Sequence, residues 1–230
     1  MKLIGMALIL FFLAGCGGDD KNDENHSEDK IVGREGILEN LKITNLDESG
    51  FPWESRPETI GRLKSWDVDS QGLIPVKTND VAIAEEAMDD IEEKLGRIVF
   101  DRESIANVPD GEISRGLIVS LGTALGPNGV DENSCGHVSG YKDSTAYPPG
   151  FYDKSGKINA VLYVHISSSK CTASQEVAVH EFGHALGMGP HFEGFGIGPA
   201  INGNFWNVLL NIFNNNVGEE QDLLTINKYE

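Results

Sequence analysis

The sequence predicts an α+β fold, and three observations predict it. The run "NDVAIAEEAMDDIEEKLG" spaces its apolar residues at helical period. Several short runs rich in β-forming residues follow it, among them "RGLIVSLG" and "GKINAVLYVHISS". Only then comes a second helix pattern, "TASQEVAVHEFGHALG". The order strand, helix, several strands, helix suggests an α+β domain with a twisted mixed sheet. At 230 residues the chain is long enough for one well-buried domain and too short for two ordinary ones with linkers.

The first fifteen residues stand apart. Lys2 supplies a short positive region and "LIGMALILFFLAG" an apolar run of signal-peptide length, short of the roughly 20 residues a spanning helix needs. The run ends in "LAGC", Leu13 to Cys16, which resembles the lipobox of bacterial lipoproteins. That resemblance implies a lipoprotein signal peptide over 1–15, lipid on Cys16, and a protein exported to the bacterial cell envelope, at the outer membrane or cell surface. Gly17 follows, so the aspartate that retains some lipoproteins at the inner membrane is missing. Residues 17–30 contain no apolar side chain and cannot offset the entropy of ordering, so 16–30 reads as a flexible acidic tether, with His26 solvated in it. The whole chain carries 36 acidic against 18 basic residues, a formal charge of −18. This excludes a basic patch for nucleic acid or anionic lipid, leaving the N-terminal lipid as the expected membrane contact. A monomer is expected. Three cysteines are odd in number, but with Cys16 lipidated, Cys135 and Cys171 remain as a pair able to form a disulfide outside the cytoplasm.

The folded domain, 31–230, begins between Ile31 and Trp53. "GLIPVKT" reads as a short strand. In the helix that follows, Asn79 or Asp80 can cap the start and Gly96 the end, while Val81, Ala84, Met88, Ile91 and Leu95 face the core. "RIVFD", "RGLIVSLG" and "NAVLYVHI" read as strands. "NFWNVLLNIFNN" is an apolar helix, with Trp206, Leu209, Leu210 and Phe213, that packs behind the rest.

The chemistry lies in the second helix. Thr172 and Gln175 make a capping-box pattern, and Gly187 supplies a left-handed end. His180 and His184, four residues apart, project from one face of the helix. Zinc needs such a pair of preoriented imidazoles, with nitrogen at about 2.0–2.1 Å. Glu181 lies one residue on, beside the metal without ligating it. The third histidine, His191, follows in "GMGPHF".

This H-E-x-x-H-x-x-G stretch, His180 to Gly187, resembles the metzincin zinc peptidases. In them a third histidine follows three residues after the glycine. Here that position is Pro190, and His191 comes one later. The chain has left the helix by then, and the four residues after Gly187 can reach about 13 Å, so a lengthened turn can bring His191 to the metal. The alternative is a surface His191 with Glu193 ligating instead. A methionine under the metal is also expected of the family, but none follows Met188; Ile197 or Ile201 could form that floor. The element order over residues 70–191 matches the family coarsely, placing "CGHVSGY" at the cleft edge and His137 and His165 on strands. The resemblance implies a zincin-like catalytic domain with an active-site helix and Zn2+ held by His180, His184 and His191. It also implies a zinc-dependent endopeptidase acting on peptide or protein substrates, with Glu181 as general base on water. Two other readings stay open: a non-catalytic metal-binding envelope lipoprotein with the same fold, and a zinc hydrolase of a non-protein amide.

Overall fold

The computed structural model describes residues 31–46, 57–124, 134–143 and 152–229; the expected signal peptide, tether, Cys16 and His26 lie outside them. Helix α1 (Arg34–Leu41) opens the domain and runs into a π-helical turn over Lys42–Leu46. Sequence periodicity had given no element here. A one-turn helix, α2 (Val68–Gln71), is capped by the Asp67 side chain, which accepts from the Ser70 N–H. Five strands then build one sheet: β1 (Ile74–Lys77), β2 (Phe100–Asp101), β3 (Gly116–Leu121), β4 (Gly136–Ser139) and β5 (Val161–Ile166). Their order is β2-β1-β3-β5-β4. All neighbours are parallel except β4, which runs antiparallel to β5 at one edge. The α+β class with a twisted mixed sheet is therefore observed.

Alternation along the strands decides which face is the core. Leu162, Val164 and Ile166 of β5 are fully buried beside Leu117 and Val119 of β3 and Val138 of β4. Helices α3 (Ala82–Leu95) and α4 (Gln175–Ala185) pack together, and α4 lies against β4 and β5. In α3 the apolar stripe of Ala84, Ala87, Met88 and Ile91 is buried, and Gly96 ends the helix in the left-handed conformation. Its start differs from expectation. Asn79 and Asp80 both adopt positive φ, and the Asn79 amide donates to the Val119 carbonyl at 2.7 Å, so neither caps and Val81 precedes the first turn. His137 and His165 are cross-strand partners on the face of the sheet away from α4. His165 is fully buried between the hydroxyls of Thr123 (2.7 Å) and Ser139 (3.1 Å), in a strand role.

Beyond α4, the two-residue strands β6 (Phe192–Glu193) and β7 (Gly196–Ile197) pair with each other. Helix α5 (Gly203–Asn214) follows, packing against α1 and α3 with Phe205, Val208, Leu209 and Ile212 inward. Its other conspicuous row is Asn207, Asn211 and, just past its end, Asn215. Each side-chain carbonyl accepts a main-chain N–H of the extended C-terminal segment, from Tyr229, Asn227 and Thr225 respectively, at 2.7–2.8 Å. The amides of Asn211 and Asn215 also donate back to the Asn227 and Thr225 carbonyls. Four residues of helix rise about 6.0 Å and two residues of strand about 6.6 Å, so the two repeats keep step.

Candidate metal centre

Helix α4 begins one turn signal later than the capping box implied. Ser174, not Thr172, is the N-cap, its hydroxyl accepting from the Val177 N–H, and Gln175 is already helical. Both residues are good caps; the nearer one makes the bond. The helix presents His180, Glu181 and His184 inward, and Leu186 closes it. Gly187 then takes a φ of 110°, turning the chain out of the helix.

The turn from Gly187 to His191 is one residue longer than the family pattern, and an N-terminal segment fixes it. The buried Asn45 amide donates to the Gly187 carbonyl (2.8 Å) and the Lys64 carbonyl (2.7 Å), while its carbonyl accepts the Lys64 N–H. The Thr44 carbonyl accepts the Gly189 N–H at 2.7 Å. So held, the turn delivers His191 to the pair on α4. The short β6–β7 unit then folds under the imidazole. A Cβ at Gly196 would lie 2.7 Å from the His191 ring, so only glycine lets the loop approach this closely.

The three histidines converge through one atom each. Their Nε2 atoms stand 3.1, 3.1 and 3.2 Å apart. The Nδ1–H of His180 donates to the Ala200 carbonyl (2.9 Å), and that of His184 to the Met188 carbonyl (2.8 Å). A carbonyl only accepts, so these bonds fix the tautomer and leave both Nε2 lone pairs bare. Burial pushes all three imidazoles down, His180 to about 4, which keeps them neutral. Neutral nitrogens with bare lone pairs facing one another suit a cation between them. A tetrahedral ion with bonds of about 2.0–2.1 Å sets its nitrogens about 3.3 Å apart, close to the observed triangle. The group can therefore hold a metal ion. Among the described residues no fourth histidine, cysteine or carboxylate joins it, and Glu193, the alternative third ligand, is exposed outside the group.

Glu181 is 6 % exposed, and burial pushes its carboxyl up to about 8. The edge strand makes room for it: a Cβ at Gly136 would fall 2.5 Å from the Glu181 Cγ and Oε1. Glu181 thus lies directly against the start of β4. Cys135, the residue before that strand, is joined by a disulfide to Cys171, just ahead of α4, as cysteine counting had allowed. The bridge ties the edge strand β4 to the approach of α4.

Two site residues escaped sequence reasoning besides Gly136. One is Asn45, which contacts the turn across 142 positions. The other is the floor. Ile197 is 54 % exposed and Ile201 half-buried, so neither fills it. Phe195 does, fully buried beneath all three rings. Its only sequence signal was an aromatic residue inside the glycine-rich "GFGIG". Comparison with known proteins adds no relative, since no family model, curated protein or solved structure matches the chain.

Proposed function

We propose that the chain is a zinc-dependent endopeptidase with a zincin-like catalytic domain, tethered to the bacterial envelope through lipid on Cys16. One observation carries the reading: three imidazole nitrogens converge on a site with no fourth ligand among the described residues, one position from a buried carboxyl. A structural zinc site closes with four ligands and has no use for Glu181. His180, His184 and His191 would hold the ion, with the Ala200 and Met188 carbonyls orienting the first two rings. Bound there, zinc supplies a nucleophile at neutral pH and Lewis-acid polarisation of a carbonyl.

The remaining steps belong to the chain's own residues. Glu181 takes the proton from the attacking water and hands it to the leaving amine. A dication bound at the triad would offset the burial that favours the neutral carboxyl and so favour the carboxylate that accepts the first proton. Strand β4 is the last strand of the sheet among the described residues, and an extended peptide bound alongside it would lie beside Glu181. Gly136 leaves the carboxyl its space there.

Metal content and general protease activity test the proposal together. His180→Ala, His184→Ala and His191→Ala each lose zinc and activity. Glu181→Ala keeps zinc and loses on the order of 10² or more in activity. Full zinc and activity in His191→Ala, with both lost in Glu193→Ala, would break the ligand assignment. A zinc-loaded wild type that cleaves no peptide would favour a metal-stabilised binding lipoprotein instead.

A further inference from the structure

Phe195 is the one aromatic ring, among the described residues, that contacts every member of the histidine group. Its centroid lies 4.4 Å from that of His180, 4.7 Å from His184 and 5.3 Å from His191. The interplanar angles are 32°, 53° and 88°, running from tilted stacking to perpendicular contact. All three distances fall within the range in which an aromatic face feels a neighbour's charge.

The ring cannot move aside. It is fully buried, and its main chain exchanges hydrogen bonds with Phe192 in both directions, at 2.8 and 3.1 Å. Phe192 and Phe205 flank it at 5.4 and 5.5 Å. Helix α4 rests directly on this layer, for a Cβ at Gly183 would meet Phe205 at 2.6 Å and Phe195 at 3.3 Å.

We propose that Phe195 is a positioning residue that stabilises the metal-loaded histidines electrostatically, beyond filling space beneath them. The physical reason is a difference between two states. A neutral imidazole carries little net charge, so the face of Phe195 gains only packing from it. An imidazole whose Nε2 binds a dication is drained of electron density and becomes partly cationic over the whole ring. The negative quadrupole of the phenyl face then attracts the rings stacked over it, His180 most directly. Phe195 therefore favours the metal-bound state specifically. An aliphatic side chain of similar size would support the rings equally in both states. This inference rests on the metal-site reading of the triad.

The test keeps shape constant and varies the face. Phe195 is replaced by mono-, di- and trifluorinated phenylalanine in the full chain, and zinc affinity is measured by chelator competition. Cobalt(II) visible spectra report the ligand field in parallel. Affinity is expected to fall stepwise, by about 10-fold in total across the series, within the range of cation–π energies. Phe195→Leu should lose a similar factor while its metal-free thermal midpoint stays close to that of the fluorinated forms. Should Phe195→Leu fail to fold, the fluorinated series still decides. A flat series, with wild-type affinity at every step, would overturn the electrostatic role and leave a packing residue. A wild type that takes up neither zinc nor cobalt would instead overturn the metal site itself, so the two failures are distinguishable.

Discussion

At Glu181 two demands meet in one side chain. The helix needs an apolar interior face, and the proposed chemistry needs a carboxylate on it. Burial sets the outcome, pushing the carboxyl up to about 8 from 4.5. This has a consequence in the metal-free protein that is independent of turnover. The folded pKa is raised, so the contribution to stability is fully present below the unfolded value and is lost as pH rises through about 8. His180 works oppositely: depressed to about 4 from 6.5, it favours folding above 6.5 and loses that contribution as pH falls through 4. Between 4.5 and 6.5 the two slopes oppose each other. From 6.5 to 8 Glu181 acts alone. Denaturant titrations of metal-free protein should therefore lose about 2 kcal/mol over that interval, at the limiting slope of one proton. Glu181→Gln should be flat there; an unchanged slope in the variant would assign the titration elsewhere. The convergence of His180 and His184 was legible in the sequence because helical period alone places residues four apart on one face. Phe195 was not, because its contact with the histidines exists only after a glycine-rich loop folds back beneath the helix that carries two of them.

The turn after α4 shows what an element can and cannot announce. Its glycines and Pro190 declared a break in the helix, and the reach to His191 was a matter of chain length. What holds the extra residue in place was invisible, since Asn45 and Thr44 belong to a π-helical turn 142 or more positions away in sequence. Similar ambiguity moved the helix starts. Thr172 and Ser174 are both competent caps two residues apart, and Asn79 was diverted to a strand carbonyl. Asn45 satisfies three main-chain groups in a site that is 4 % exposed. Asn45→Ala removes their shared partner from a buried site, an expected loss of about 2–4 kcal/mol. Because one of those groups is the Gly187 carbonyl, zinc affinity should weaken along with stability. Thermal denaturation and chelator competition on the same preparation would check this; a destabilised variant with unaltered affinity would mean the turn holds its shape without the brace.

Across the whole molecule, both end segments of the described domain converge on α5. The Val32 N–H donates to Asn204, whose amide in turn donates to the Glu193 carbonyl, two residues past His191. The proposed lipid anchor would therefore lead, through residues 16–30, into a segment docked beside the metal loop. Radioactive fatty acid should label the wild type and not Cys16→Ser; equal labelling of both would remove the anchor. At the other end, the asparagine row of α5 grips main chain alone, and this gives the C-terminal segment an unusual hereditary freedom. A strap held through its peptide groups can change its exposed side chains without loosening, although Leu224 and Ile226 pack against the core; Thr225→Ala should alter stability by less than about 0.5 kcal/mol. One residue type is barred, and only at every second position. Thr225, Asn227 and Tyr229 each donate an N–H to an asparagine, whereas Lys228 donates none to the row. Proline lacks that N–H. Thr225→Pro or Asn227→Pro should unfasten the strap, and Lys228→Pro should leave it closed, readable as a drop in melting temperature for the first two alone. The helix thus imposes on its partner a grammar of period two, written in what the tail must not contain.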